Sequence, residues 1–268
     1  MNDYRLAQAI SVMKINTFIL FILFIHLSTC AEKSNLVIID VASSGMGFQP
    51  DRKMVTLRTS ARIVFNNDIE IYIQPEQHLH LEDVKNSNGD IDEKVKSIDT
   101  LYKVFAKKKN QEKGIEYDLE TIETSKDITF DADSLWKTLS FHYTRYPDYS
   151  KDKGKLIKTV RKDNIKVDHY SLKFEIGGID SVYKYYDKNM MNIPFSFSKR
   201  LDSLNKSKLF KVFLISNEIP KGVALPDMAV PRREFYHEMK VVKDTSNIKL
   251  YRSIIERFKR DSKRLNLK

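Results

Sequence analysis

The chain has 268 residues, of which 46 are lysine or arginine and 36 are aspartate or glutamate, so its formal net charge is +10. Because 41% of the residues are hydrophobic and 11% are aromatic, the chain can bury a core, which excludes the broadly disordered class. Its single cysteine excludes an intramolecular disulfide and a thiolate cluster for zinc or iron–sulfur.

The N-terminus has the features of an export signal. Residues 18–27 read FILFILFIHL, an apolar run that follows Lys14 and precedes several small residues. As a helix this run rises only about 15 Å, half the hydrocarbon thickness of a bilayer. The pattern therefore predicts a secretory signal peptide over residues 1–29 rather than a membrane span. Met13 fits the start of that signal better than Met1 does.

Residues 27–30, LSTC, resemble the lipobox of bacterial lipoproteins, with Thr29 where the family usually has Gly, Ala or Ser. In that family the chain is cut before the cysteine, which is diacylated on sulfur and usually acylated on its new amine. The resemblance covers about a tenth of the chain. It implies that acylated Cys30 binds membrane lipid and that residues 30–35 form a tether. Because Ala31 rather than Asp follows, it favours the outer membrane, facing the periplasm.

Two other interpretations of this segment stay open. Ser28 and Cys30 can form the small pair of an ordinary secretory cleavage site before Ala31, or the segment can remain uncleaved as an anchor. The lone cysteine of an exported chain favours lipidation, because a thioether at the mature N-terminus cannot mispair. Export also argues against nucleic acid as a partner.

Residues 36–268 are expected to form one domain that begins with strands. Residues 36–42 are apolar and β-branched, which predicts a first strand. Apolar residues alternate over residues 55–59 and 69–73, and Asn66, Asn67 and Asp68 predict a hairpin turn between further apolar residues. These patterns indicate an antiparallel set.

A helix is predicted next. Ile91, Val95, Ile98, Tyr102 and Phe105 recur at spacings of four and three residues, which places all five on one face of a helix.

Strand patterns return after residue 137. Residues 139–143 and 170–176 alternate, and Gly177-Gly178 is typical of a two-residue hairpin into a strand at residues 179–186. Ser196 or Ser198 can cap a short helix, and residues 209–216 are typical of a buried strand.

Two amphipathic helices are predicted at the C-terminus. The first carries Phe235, Met239 and Val242 on one face, and the second has an apolar stripe that includes Tyr251 and Phe258. The sequence thus predicts an α+β fold, with a mainly antiparallel sheet, a central amphipathic helix and two C-terminal helices.

Candidate chemical groups are few. His78 and His80 lie on one face if their segment is a strand, which makes them weak metal ligands, but an exposed polar edge is the favoured interpretation. Ser44 lacks the G-x-S-x-G spacing of a nucleophile turn. A triad would need the fold to bring one of the distant His142, His169 and His237, with Asp148 or Asp168, to this serine. No catalytic residue and no cofactor is therefore expected.

The last 37 residues carry most of the positive charge. Residues 232–268 contain 12 lysine or arginine and 5 acidic residues, a net charge of +7. Cations surround the apolar stripe of the last helix and form a candidate surface-binding patch for an anionic lipid or polymer. A solvated helix face explains the same residues. The patch comprises Lys249, Arg252, Arg257, Lys259, Arg260, Lys263 and Arg264.

Three functions follow from these features. The leading hypothesis is a non-catalytic, lipid-anchored protein of the bacterial envelope, with a binding or structural role toward an envelope protein or cell-wall partner. An anchored hydrolase of envelope sugars or peptides is the first alternative. A binder of an anionic membrane or cell-wall surface, acting through the basic C-terminal helix, is the second.

Overall fold

A computed structural model of the chain describes residues 36–48, 54–85, 91–124, 126–132, 154–172, 179–223 and 227–267. These residues contain eleven strands, two α-helices and one short 3₁₀ turn at Lys188–Met190. The helices are α1 (Lys199–Asn205) and α2 (Ile248–Arg264). The strands are β1 (Val37–Phe48), β2 (Met54–Asn66), β3 (Ile69–Lys85), β4 (Ile91–Lys108), β5 (Lys113–Asp118), β6 (Ile128–Asp131), β7 (Lys155–Lys162), β8 (Ile165–Ser171), β9 (Ile179–Asp187), β10 (Lys208–Ser216) and β11 (Arg233–Val242).

All eleven strands belong to one antiparallel sheet, in the order β6-β5-β4-β3-β2-β1-β11-β10-β9-β8-β7. Within each half, β1 to β6 and β7 to β11, every strand pairs with the next one along the chain. The two halves join at the centre, where β1 pairs with β11 from Ile38 opposite Val242 to Ser44 opposite Tyr236. By its internal contacts, Leu36–Lys268 is one compact unit.

Helix α2 packs on one face of the N-terminal half of the sheet, which we call the helix face. Val64, Ile71 and Val104 lie on that face in three neighbouring strands, and they form one buried cluster with Ile254 and Phe258 of α2. All five side chains are fully buried. Burying a side chain of this size stabilises the fold by about 1.5–3 kcal/mol, so the helix is an integral part of the domain.

The opposite face of the sheet is also covered. Ile39 and Ile63 point there, since successive residues of a strand alternate between faces. They belong to a second buried cluster with Phe195, Phe197 and Leu201, which come from the segment leading into α1 and from α1 itself. Strands that are buried on both faces carry apolar residues at consecutive positions, as β2 does.

The predicted central helix is wrong. The residues expected to form it belong to β4, which pairs along its length with β3. Spacings of four residues, such as Ile98 to Tyr102, keep two side chains on one face of a strand as well as of a helix. A spacing of three, Tyr102 to Phe105, places them on opposite faces, and at Phe105 the second face is buried. The spacings of four residues therefore fit both structures, and the pairing of β4 with β3 decides between them.

The first of the two predicted C-terminal helices is also wrong. Phe235 and Met239 belong to β11, again at an even spacing that suits a strand. Only the last predicted helix is present, as α2, so the fold is an antiparallel sheet with few helices rather than the predicted α+β arrangement. Ser198 caps α1 by accepting a hydrogen bond from the backbone N–H of Leu201.

Several predicted features lie outside the described residues. These are the signal segment with Cys30, the strand at residues 139–143 and the Gly177-Gly178 turn. Within the described part of the chain, neither helix has the length and apolar character needed to cross a bilayer.

Strands β3 and β4 extend beyond their neighbours. β2 pairs with β3 only from Asn66 opposite Ile69 to Arg62 opposite Ile73, and β5 reaches β4 only at residues 103–107. Residues 74–85 and 91–102 pair with each other and, among the described residues, with no further strand. We call this two-stranded ribbon the arm.

Candidate functional site

A cavity of about 510 Å³ lies where the arm leaves the sheet, between the sheet and the start of α2. Its walls come from β1 to β4, from the residue after β5 and from the first turn of the helix. Most of the lining is apolar, and Ile73, Tyr102 and Leu250 contribute to it. Cavities of this size with a few fixed polar groups are typical of sites that bind a small apolar group.

The polar part of the cavity is centred on Arg62. Its guanidinium binds Asp40 through two hydrogen bonds, with Nε 2.7 Å from Oδ1 and Nη2 3.0 Å from Oδ2. Its Nη1 donates to Asp244 Oδ2 at 2.6 Å and to the Tyr251 hydroxyl at 3.0 Å. Tyr251 in turn donates to Asp244 at 2.7 Å. We call these four residues the Arg62 network.

The sequence places these groups together through the sheet register and a helix cap. Asp40 and Arg62 are directly opposite in β1 and β2, where an opposite-charge pair stabilises the sheet. Asp244 follows β11 and accepts hydrogen bonds from the backbone N–H of Asn247 and the hydroxyl of Ser246. A carboxylate at the start of a helix satisfies free N–H groups and favours the helix dipole.

Two charges of the network are fixed near neutral pH. The hydrogen bond to Asp40 raises the pKa of Arg62 further above its ordinary value. Hydrogen bonds from Asn247 and then Tyr251 lower the pKa of Asp244 well below its ordinary range. One cation thus faces two carboxylates, of which Asp40 lines the cavity and Asp244 does not. An arginine and a carboxylate held in this way can bind a ligand but are poor general acids or bases.

The two candidate metal ligands, His78 and His80, each lie next to a different carboxylate. His78 and His80 lie on one face of the arm, as predicted from their spacing. His80 Nε2 is 2.8 Å from Asp99, whereas His78 Nε2 is 3.5 Å from Glu76. Within the described residues, no group of three or more histidine, cysteine or acidic side chains has a geometry that could hold a metal ion.

A serine–histidine pair is present, in the core. Ser43 of β1 lies opposite His237 of β11, and its Oγ is 2.9 Å from Nδ1. Burial lowers the pKa of His237 to about 4, so the imidazole is neutral at physiological pH. Ser43 and His237 are 9% and 5% exposed, which leaves no access for a substrate. The pair is therefore a core contact rather than a nucleophile with its base.

The other candidate histidines do not converge on this pair. His169 of β8 stacks on Tyr183 of β9, with ring centroids 4.3 Å apart. The neighbouring Asp168 points to the opposite face of β8 and pairs with Lys166 at 2.6 Å. His142 lies outside the described residues.

Arg257 of the predicted basic patch is buried. Its Nε is 3.1 Å from Asp261, and its guanidinium lies 4.4 Å from the centre of the Tyr117 ring on β5. Tyr117 also donates a hydrogen bond to Asp261 at 3.3 Å. Arg257 thus joins α2 to the sheet and does not contribute to the surface of the helix.

The other six cations of the patch divide into two groups. Three pair with acids: Lys259 with Glu256, Arg260 with Asp261, and Arg264 with Asp127. The remaining three are exposed and form no ion pair with any described residue: Lys249, Arg252 and Lys263.

Sequence reasoning missed the Arg62 network, in which the directly bonded Arg62 and Tyr251 are 189 residues apart in the chain. Two local signals point to it. Arg62 is a lone cation between apolar residues of a strand, and Asp244 precedes Ser246 and Asn247 as a capping residue precedes a helix. Neither signal identifies the partner.

Comparisons with known proteins leave the family unassigned. No protein-family model and no curated protein matches the chain. A solved structure of a LolA superfamily protein from Nitrosomonas europaea is similar over 81% of this chain and 90% of that chain, with 11% identity and a TM-score of 0.22. A TM-score this low supports no inference about this chain.

Replacing Arg257 by alanine should destabilise the domain by about 1.5–3 kcal/mol, because buried Asp261 loses its closest cation and the contact of the guanidinium with the Tyr117 ring is lost. Urea unfolding at neutral pH measures the loss. The matched control is Arg252→Ala on the same helix, which removes an exposed cation and should change stability by no more than about 0.5 kcal/mol. Equal effects of the two substitutions would contradict a structural role for Arg257.

His237 should make stability depend on pH between about 6.5 and 4. The unfolded chain binds a proton there, whereas the folded chain keeps the imidazole neutral, so the free energy of unfolding decreases as the pH falls. The slope from this group is at most about 1.4 kcal/mol per pH unit. His237→Asn keeps a polar atom near Ser43 and should flatten the profile in this window. Parallel profiles for the two proteins would refute the assignment.

Proposed function

We propose that this chain is a non-catalytic, lipid-anchored protein of the bacterial envelope, whose domain binds a partner through the cavity beside the arm. The observation that carries the binding role is the cavity itself, with mostly apolar walls and the Arg62 network at its polar side. The anchor rests on the lipobox-like residues that end at Cys30.

The chemistry of the cavity supports binding rather than catalysis. The two oxygens of Asp244 together accept hydrogen bonds from Arg62, Tyr251, Asn247 and Ser246. A carboxylate with so many donors is stabilised as the anion and has little capacity to accept a proton from a substrate. Asp40 is more accessible and is the acidic group best placed to contact a ligand.

The two alternatives have less support. A hydrolase needs histidine and carboxylate groups that converge in an open cleft. His78 and His80 lie on the arm, His169 lies on β8 and His237 lies in the core. The hypothesis of a binder of anionic surfaces is weakened because Arg257 is buried and does not belong to the surface patch. Three of the other six cations of that patch are paired with acids.

The anchor defines the proposed location. Three acyl chains, at about 0.8 kcal/mol for each buried CH₂ group, would hold the protein on the membrane essentially permanently. Ala31 after the cysteine favours the outer membrane over the inner membrane, with the domain in the periplasm.

Replacing Cys30 by alanine should release the folded protein from membranes, since no acyl chain can then be attached. Membrane fractionation in a high-salt wash measures the release, and mass spectrometry of the mature N-terminus reports the cleavage site and acylation. Ser34→Ala in the tether is the matched control and should stay with the membrane. Cys30→Ala protein that still sediments with membranes would exclude the acyl anchor.

Filling the cavity should block binding of a small apolar probe. Ser60 lines the cavity, so Ser60→Phe places an aromatic ring inside it. We expect the affinity for the neutral dye N-phenyl-1-naphthylamine, measured by fluorescence, to fall about tenfold, which corresponds to about 1.4 kcal/mol. Thr56→Phe, at an exposed position of the same strand that does not line the cavity, is the matched control. If both variants bind the dye as the parent does, the cavity is not the binding site.

A further inference from the structure

The cavity opens at the point where two neighbouring strands stop pairing. The last pair between β2 and β3 is Arg62 opposite Ile73, although β2 begins eight residues earlier and β3 continues for twelve more. In the same register the next hydrogen-bonded pair would join Ser60 and Pro75. Both of these residues line the cavity instead.

Pro75 explains why the pairing ends there. Its partner in β4 is Tyr102, whose N–H donates to Glu120 and whose carbonyl accepts from the N–H of Leu119. Both backbone groups of Tyr102 thus point away from β3, so Pro75 and Tyr102 form a non-hydrogen-bonded pair. The nitrogen of Pro75 therefore faces β2, and because proline has no N–H, the ladder between β2 and β3 loses a donor.

Beyond Pro75, the backbone of β3 presents an open edge to the space beside β2. Gln77 and Leu79 share the orientation of Pro75, since hydrogen-bonded and non-hydrogen-bonded positions alternate along an antiparallel pair. Their N–H and C=O groups face away from β4, and no described strand pairs with them. An edge of this kind is a template for one more strand.

The open edge of β3 lacks the cationic protection of the outer edge strand β7, although Pro75 blocks pairing at one position. The edge strand β7 is exposed along all eight residues and carries four cations, a common protection against strand addition. Residues 74–84 of β3 contain no lysine or arginine. Ile98 and Tyr102 of the arm are 53% and 41% exposed, and a two-stranded ribbon is marginally stable in water without a further partner.

The charge of the arm indicates what kind of strand would bind. Residues 74–85 and 91–102 contain six acidic residues and three lysines, a net charge of −3 in a chain of net charge +10. The charged residues that line the adjoining cavity, Asp40 and Arg62, balance each other, so the negative charge lies on the arm itself. A basic segment is therefore favoured over an acidic one by charge complementarity.

We propose that an extended basic segment of a partner polypeptide adds to β3 as a strand along the arm, with one apolar side chain in the cavity. This inference rests on the proposed binding role of the cavity and names the class of partner. The backbone of such a segment supplies N–H and C=O groups at the spacing that the open edge requires, which a lipid chain does not.

The test uses a capped peptide of alternating lysine and valine, about nine residues long to match the exposed part of the edge. Amide exchange measured by NMR on the lipid-free mature chain reports the contact. We expect saturating peptide to slow exchange at Gln77 and Leu79 at least about tenfold, and by more than at His78, whose amide already faces β4. The same peptide N-methylated at alternate residues along its pairing edge should give no protection.

Two substitutions locate the contact. Gln77→Pro removes an N–H that faces the open edge and is not used by β4, and it should abolish the protection of the Leu79 amide. Gln77→Ala shortens the side chain but keeps the N–H, and it should retain the protection.

Other outcomes would overturn the proposal. These are unchanged exchange at Gln77 and Leu79, binding that survives N-methylation, protection confined to β7, or protection by phosphatidylcholine vesicles but not by the peptide. The last outcome would make a lipid surface the partner. If the dye still binds in a Ser60-dependent way while the peptide fails, the proposed function stands and only the strand addition is refuted.

Discussion

The position of α2 depends on the ion pairs of one arginine. Arg62 lies near the centre of the sheet and pairs with Asp40 on the neighbouring strand. Its Nη1 also binds Asp244, just before the start of the helix. The residue that begins the helix, Asn247, makes no side-chain cap of its own, so Asp244 takes over that role. Charges removed from water are tolerated when they are paired and hydrogen-bonded. This contact holds the first turn of α2, which forms one wall of the cavity, while the buried cluster around Ile254 and Phe258 packs the rest of the helix on the sheet.

Local patterns predict much of the sheet and fail where apolar residues of a strand recur at a spacing that a helix also allows. The turn after Asn66, the strand at residues 209–216, the cap at Ser198 and the last helix are present. The strands β4 and β11 are predicted as helices because a spacing of four residues keeps two side chains on one face of either structure. The pairing of β4 with β3 along its full length then overrides the helical spacing.

The site is harder to predict than the fold because it is assembled from distant segments. The pairing of Asp40 with Arg62 requires the register of β1 and β2, and the contact with Asp244 requires that β11 returns to β1. The basic helix shows the opposite problem. Its composition is evident in the sequence, but the burial of Arg257 against Tyr117 depends on which turn of the helix meets β5. Composition indicates how many cations a helix has, whereas packing decides which of them reach the solvent.

The pairing of β1 with β11 at the centre of the sheet has a consequence for the order of folding. Ser43 and His237 meet across it although 194 residues separate them, so the centre of the sheet forms only after nearly the whole chain has been synthesised. Such non-local pairings are slow, because the entropy of closing a long loop is lost before the contacts form. Until β11 arrives, β1 is an outer strand with an unpaired edge, which makes the unfinished N-terminal half prone to association with other chains. A protein built in this way gains from a factor that holds the first half apart from other chains until the last strand is in place.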